Sequence, residues 1–421
     1  MKPFAGSFGR TEAAHLLRRT MFAAVPTDVD RATAEGLAAA VSRLLVPKDD
    51  ASSDAREAAL RASDDRELLA GSWLVRAATT PDPLGETMVL FWHDHFVSAL
   101  AKVGEGRRML DQAALFRRLG RGSFATLATE VARDPAMLRY LDLERTTKQA
   151  PNENFARELF ELFTTGPGPY DERDIQDAAR AFTGYGVRGG RFQFSPAAHD
   201  DGQKSVLGVR GPLGGDDVVR IAAARPETAR LLASKLARRF LADRPDDDAV
   251  EAIAATWRAA DGDLNRVLAT IFNSEAFFAP EHRSAVTRCP AAFVVGALRT
   301  ARASTLPPPA ALARRVLAMG RSLFDPPSVK GYAGGSAWRN PAARLARLDF
   351  IFELSDAHGG LLRAPELRSE DQLRSFSRDA AGSEPNAAEL AAIRVAVPDD
   401  DEFRDLRRMT CLLARPEFDR C

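Results

Sequence analysis

Residues 151–163 read PNENFARELFELF, and the angular placement of these side chains decides the fold class. On an α-helix each residue turns by about 100°, which gathers Phe155, Ala156, Leu159, Phe160, Leu162 and Phe163 on one side. Asn154, Arg157, Glu158 and Glu161 then share an arc of about 100° on the opposite side, with Asn152 placed to cap the first turn. Arg157 and Glu161, four residues apart, are spaced to form a surface ion pair.

The same three-and-four spacing of apolar residues recurs in TEAAHLLRRTMF, DRATAEGLAAAVSRLL, RELLAGSWLVRAATT, MLDQAALFRRLG, SFATLATEVARDPAMLRYL and ERDIQDAARAFTGY. It resumes after residue 211 in VVRIAAARPETARLLASKLARRFLA and VEAIAATWRAADGDLNRVLATIFNSEAFF. The expected fold is therefore mainly α, a large multi-helix globule with a small β-hairpin insertion around 185–211. There Gly189 and Gly190 separate two short alternating segments. Gly166 and Gly184 stand where left-handed helix ends belong. One large helical domain over 1–421 is expected, with possible subdomains 1–304 and 311–421 about TLPPPA. PPSVKGYAGGSAW at 326–338 must be loop, and 366–400, poor in apolar periodicity, is expected to be loop or mobile. The end, FRDLRRMTCLLARPEFDRC, is again helical and faintly echoes VLATIFNSEAFFAP at 267–280.

Fifty-eight basic residues balance fifty-eight acidic ones, so no net field gathers nucleic acid or anionic membrane. Only seven of the basic residues are Lys. Cys289, Cys411 and Cys421 have no disulfide or zinc spacing, no signal-like segment opens the chain, and no apolar run is long enough to span a bilayer. A cytoplasmic location is the expectation these features set. Nucleotide-binding glycine motifs, HExxH and GxSxG are absent from the sequence.

Three polar clusters carry the candidate chemistry. The first is FWHDHF at 91–96, where His93 and His95 bracket Asp94 within an apolar run. In a continuing helix the two imidazoles diverge; if the helix stops near His93 they share a side and can converge on a metal ion. The second is the polar arc of Asn154, Arg157, Glu158 and Glu161. The third is HDDGQK at 199–204, offering His199, Asp200, Asp201 and Lys204 around Gly202. Each cluster has an ordinary structural alternative: a satisfied core histidine, the wet face of an amphipathic helix, a solvated turn.

HLLRRTMF, FWHDHF, RDPAMLRYLD, PNENFARELFELFTTGPGPY, DIQDAARAFTGY, HDDGQKSVLG, PPSVKGYAGGSAW and LLARPEF occur in this order along nearly the whole chain. Together they resemble the bacterial family catalogued as domain of unknown function 1800. The resemblance implies a large, mainly helical protein and assigns no activity. It also implies relatives that are often exported, and a possible partner protein of the sulfatase and phosphatase superfamily. This chain has Tyr185 and Tyr332 where the family often has Trp, and Asp94 where it often has Asn. Both histidines and the acidic helix are kept.

The expected function is a metal-dependent enzyme, preferentially a hydrolase acting on a small or glycan-like anionic substrate through a metal-bound water. His93, His95, Glu158 and His199 are the expected ligands of iron, zinc or manganese. Asp94 and Asp200 are the candidate bases or imidazole-orienting groups, and Arg157 and Lys204 the candidate anion holders. Asn154, Glu161 and Asp201 are further candidates. An oxidase or oxygenase, a non-catalytic helical scaffold that binds a protein partner, and a metal-free transferase acting on a phosphorylated sugar through Lys204 are the alternatives. Oligomeric state leaves no mark in the sequence.

Overall fold

The computed structural model describes residues 1–302, 305–357 and 364–421. Among these lie 23 α-helices and two small antiparallel sheets of two strands each, so the chain is mainly α with a β excursion where the glycines placed it. Helix starts follow capping chemistry. Asp65, Asp82, Ser123, Asp134, Asp246 and Asp263 each accept a hydrogen bond from a backbone N–H in the first turn that follows.

Two segments that read as single helices are split. DRATAEGLAAAVSRLL breaks at Gly36, whose φ of 78° ends Pro26–Glu35 before Leu37–Leu45 begins. SFATLATEVARDPAMLRYL breaks at Asp134, which caps Pro135–Tyr140 after Phe124–Ala132 has ended. In both cases apolar residues are buried on either side of the break, Val29 and Ala32 with Ala40, Val41 and Leu44 in the first, Leu127 and Val131 with Met137 and Leu138 in the second.

The hairpin pairs Tyr185–Arg188 with Arg191–Phe194 in the register Tyr185 to Phe194 and Arg188 to Arg191. Gly189 and Gly190, at φ 58° and 74°, form the two-residue turn that matches strand twist. Lys204–Val206 and Val209–Gly211 form the second pair.

The 366–400 segment is corrected from loop to helix. Glu370–Ala381 and Ala387–Ala396 each open with a capping box, Ser369 with Gln372 and Asn386 with Glu389. Their apolar content is thin because they bury little beyond Leu373, Phe376, Ala380, Ala381, Leu390 and Ile393, while Asp379 is buried in an ion pair with Arg10. The 326–338 stretch is loop as expected, closing in a 3-10 turn at Gly335–Trp338. A subdomain junction at 304 lies outside the described residues.

One continuous apolar core runs from Ala13 to Phe418, with Trp92, Phe96, Phe116, Phe124, Phe160 and Phe163 among its largest fully buried side chains. It draws in the helix Pro309–Ala318, which packs against Arg66–Thr79. Within the core, 122–138 and 262–278 mirror each other. Phe124 N–H donates to Gly262 O at 3.0 Å, and Leu264 N–H donates to Gly122 O at 3.0 Å. Ser123 and Asp263 cap the helices that follow, and Asp134 and Ser274 cap the short helices after those. The segment at 267–280 thus finds its counterpart at 127–140 as well as at the chain's end.

Close approach at Gly71 fixes the Pro309–Ala318 helix: a Cβ there would lie 1.8 Å from the Pro309 carbonyl oxygen. Gly71→Ala, despite a gain of about 1 kcal/mol in helix propensity, is expected to lower unfolding free energy by about 1–3 kcal/mol through overpacking. Chemical denaturation checks the sign, and a stabilised variant would contradict this contact.

Candidate functional site

The helix Pro83–His95 starts at the Asp82 cap and runs through FWHDH, ending at Phe96. Because it stays helical to His95, the two imidazoles diverge rather than converge. His95 lies among Trp92, Phe96, Phe124 and Phe163. Its Nε2 stands 3.1 Å from Phe163 O, and its Nδ1 stands 2.8 Å from Lys235 Nζ. Lysine is here the donor, so Nδ1 accepts and Nε2–H donates, which fixes a neutral tautomer with both nitrogens occupied. Burial and the nearby Lys235 charge hold this imidazole well below the usual histidine range.

His93 points the other way, edge-on to Phe324 at 5.2 Å between ring centres, and forms no hydrogen bond among the described residues. Burial lowers it to about 4, against the pull of Asp94 and with the push of Arg321. Asp94 itself remains 39% exposed and is held at 2.6 Å by the buried Arg321. Arg321 in turn lies over the Tyr332 ring, whose hydroxyl accepts from Ser322 N–H and donates to Ser322 O, both at 2.8 Å. Gly331, at φ 69°, lets the loop approach so closely that a Cβ would sit 3.3 Å from Asp94 O. The 326–338 loop is therefore moulded onto the FWHDHF turn.

PNENFARELFELF contributes the second wall through an unexpected geometry. Asn152 caps the helix as the sequence predicts, accepting from Asn154 N–H at 2.8 Å. Only Glu153–Glu158 is α-helical; Leu159–Phe163 is a wider π turn. The Leu159 and Phe160 carbonyls accept from the Thr164 and Thr165 hydroxyls, and Gly166 N–H also reaches Phe160 O at 2.9 Å. Leu162 O accepts from Lys235 Nζ at 3.0 Å, beside the His95 contact to Phe163 O. Two of the three sequence clusters thus meet at the end of this helix.

Lys235, from the helix Pro226–Phe240, joins them. It is partly buried, and desolvation lowers its ammonium to about 8, against Asp94 and reinforced by Arg238. The sequence reading misses both Lys235 and Arg321. The one signal for Lys235 is its type: in a chain that uses Lys for seven of 58 basic positions, a Lys within LLASKLARRF is conspicuous.

The polar arc itself is rearranged. Arg157 pairs with Glu172 at 2.8 and 2.9 Å and with Glu153 at 3.2 Å, rather than with Glu161, so it holds no ligand in this arrangement. Glu158 is partly exposed, and its carboxyl is raised by burial and by Glu161, against Lys330 and Arg157. Asn154 and Glu161 side chains form no hydrogen bond among the described residues.

HDDGQK stands apart, fastened to the helix Glu172–Ala181. His199 Nδ1 lies 2.8 Å from Thr183 O, and its ring abuts Phe194. Asp200 is clasped by Arg180 at 2.7 and 3.2 Å and accepts from Gly202 N–H at 2.9 Å, which brings it down to about 2. Lys204 Nζ donates to the carbonyls of Asp200 and Gly202, at 3.0 Å for the latter. Asp201 faces solvent. Among the described residues no hydrogen bond or ion pair links this turn to the His95–Lys235 group.

The four expected ligands do not present one shared set of lone pairs: His95 has spent both nitrogens, and His199 is fastened to Thr183 beside a different helix. Among the described residues no three His, Cys, Asp or Glu side chains are grouped to hold a metal ion.

Fold and centre together define a mainly helical protein with an amine, an imidazole and a carboxylate gathered where a helix ends inside the core. The chain belongs to the family described as Protein of unknown function (DUF1800), which it matches over residues 15–420. No curated protein and no solved structure matches it. No helix among the described residues is long and apolar enough to cross a membrane.

Unfolded, His93 takes up a proton near its ordinary value of about 6.5; folded, it does so only near 4. Between those values the unfolded state binds more protons, so this group's contribution falls as pH falls. His93→Asn is expected to lose less stability than the parent between pH 7 and pH 5, by on the order of 1–2 kcal/mol. Denaturation at both pH values checks it, and equal losses would mean that His93 is charged in the folded protein.

Proposed function

We propose that this protein is an enzyme whose proton-transfer group is the amine of Lys235. The observation that supports it is the pair of contacts made by Nζ, to His95 Nδ1 at 2.8 Å and Leu162 O at 3.0 Å, in an amine brought down to about 8. A neutral amine has two N–H bonds, which these acceptors fill, and its lone pair is left for chemistry. Near physiological pH such a group is partly deprotonated, as a general base requires.

His95 orients the amine and stays neutral, so it does not compete for the proton. Asp94, partly exposed and gripped by Arg321, places a carboxylate within electrostatic reach of Lys235. Glu158, raised toward its protonated form on the neighbouring helix, fits the complementary role of proton donor. Hydrolysis of a small or glycan-like substrate suits this set: Lys235 takes the proton from water as the water attacks, and Glu158 supplies one to the leaving group.

Competitive acylation of the full chain across pH 6–11, read by mass spectrometry, tests the amine. Labelling of Lys235 is expected to rise with a midpoint near 8; a midpoint at the ordinary lysine value of about 10.4 would end the proposal. Against a panel of ester and glycoside substrates, Lys235→Met is expected to lower kcat/KM by about 10²–10⁴-fold with the fold retained.

A metal-dependent form of the same reading rests on His93, whose ring lacks a hydrogen bond and adjoins Asp94. Elemental analysis of purified protein decides it. Stoichiometric iron, zinc or manganese that is lost in His93→Ala would favour metal-bound water as the nucleophile.

A further inference from the structure

Two cavities of about 540 Å³ each flank the helix Gly106–Leu119 and share Arg61, Ala114 and Arg118. None of their lining residues belongs to the Lys235 centre. In one, the charges cancel locally: Arg76 reaches Glu86 at 3.0 Å, Arg117 reaches Glu57 at 2.9 Å, and Arg121 clasps Asp82.

The other is different. Among the described residues Asp111 is the single acidic partner of both Arg61, at 2.7 Å, and Arg107, at 3.6 Å. Arg108 turns to Glu105 and Glu144, and Arg133 to Glu130 and Asp216. Arg118 and Arg191 line the cavity, one from the helix and one from the hairpin, and neither has an acidic partner among the described residues. Both are exposed. Asp134 adds less than a full negative charge to the lining, because burial raises its carboxyl to about 7. Of the six guanidinium groups that line this space of small-molecule size, Arg118 and Arg191 are thus the two without an acidic partner among the described residues. Beside them Phe192, stacked under Arg133 at 5.6 Å, offers an apolar face.

We propose that this cavity binds a small molecule bearing a phosphate or sulfate monoester, with Arg118 and Arg191 holding the tetrahedral oxyanion and Phe192 lying against the rest. Planar guanidinium forks suit such oxygens, and two of them lining one cavity without acidic partners among the described residues leave their donors to a ligand. The proposal is independent of the Lys235 reading, since it concerns binding at a different wall of the fold.

Calorimetry of the full chain at low salt with glucose 6-phosphate, glucose 6-sulfate and glucose tests it. At least one ester is expected to bind at about 1 mM or tighter, and the comparison of the two esters identifies the oxyanion. Glucose should not bind. Arg118→Ala and Arg191→Ala, surface changes that remove no ion pair, should each weaken binding about tenfold. Arg220→Ala, an exposed arginine outside the cavity, should leave it unchanged. Absence of binding by both esters at 10 mM overturns the proposal, as does equal weakening by all three substitutions.

Discussion

A helix that ends inside the protein leaves carbonyls which no helical N–H can reach, and the centre of this molecule is organised around that constraint. At Leu159–Phe163 the α-helix widens into a π turn, and four of its carbonyls take donors from outside the helix. Thr164, Thr165 and Gly166 answer Leu159 and Phe160 locally, while Lys235 and His95 come from distant helices to answer Leu162 and Phe163. A buried carbonyl without a donor costs about 1–3 kcal/mol, so these donors hold three helices together. The same desolvation that makes the contacts necessary also shifts the amine and the imidazole away from their ordinary charges. Structure and chemistry here have one cause.

Much of the fold was legible because helical periodicity survives local interruptions. TEAAHLLRRTMF and RELLAGSWLVRAATT become Arg10–Met21 and Arg66–Thr79, and the Gly189–Gly190 turn appears where the glycines require it. Breaks at Gly36 and Asp134 were hidden, since a cap residue in mid-pattern does not disturb the apolar spacing around it. The helices at 370–396 were hidden for the opposite reason: they bury few apolar side chains, and their boundaries are written in Ser369, Gln372, Asn386 and Glu389 instead.

The site was legible in part. FWHDHF and PNENFARELFELF do meet, but through main-chain carbonyls of the second segment rather than through its acidic arc. A wheel drawn at a constant angle cannot show a π turn, and that turn is what redirects Leu162 and Phe163. Lys235 and Arg321 have no motif around them, and only tertiary packing brings them to His95 and Asp94. HDDGQK offered imidazole, carboxylates and an amine in one turn, yet Asp200, His199 Nδ1 and Lys204 are taken up by Arg180, Thr183 and its own backbone. Polar density in sequence does not separate groups spent on structure from groups left for chemistry. Accounting for each donor and acceptor does.

The paired backbone contacts between Phe124 and Gly262 and between Leu264 and Gly122 bear on how the chain acquires its shape. Each segment supplies what the other lacks at its entry, so neither is complete until residues far apart in sequence have come together. Closing so long a loop is entropically slow, and it is rewarded only once both sides are in place. The two contacts thus close a span of about 140 residues that contains Lys235, and they tie the entry of each segment to a part of the chain remote from it.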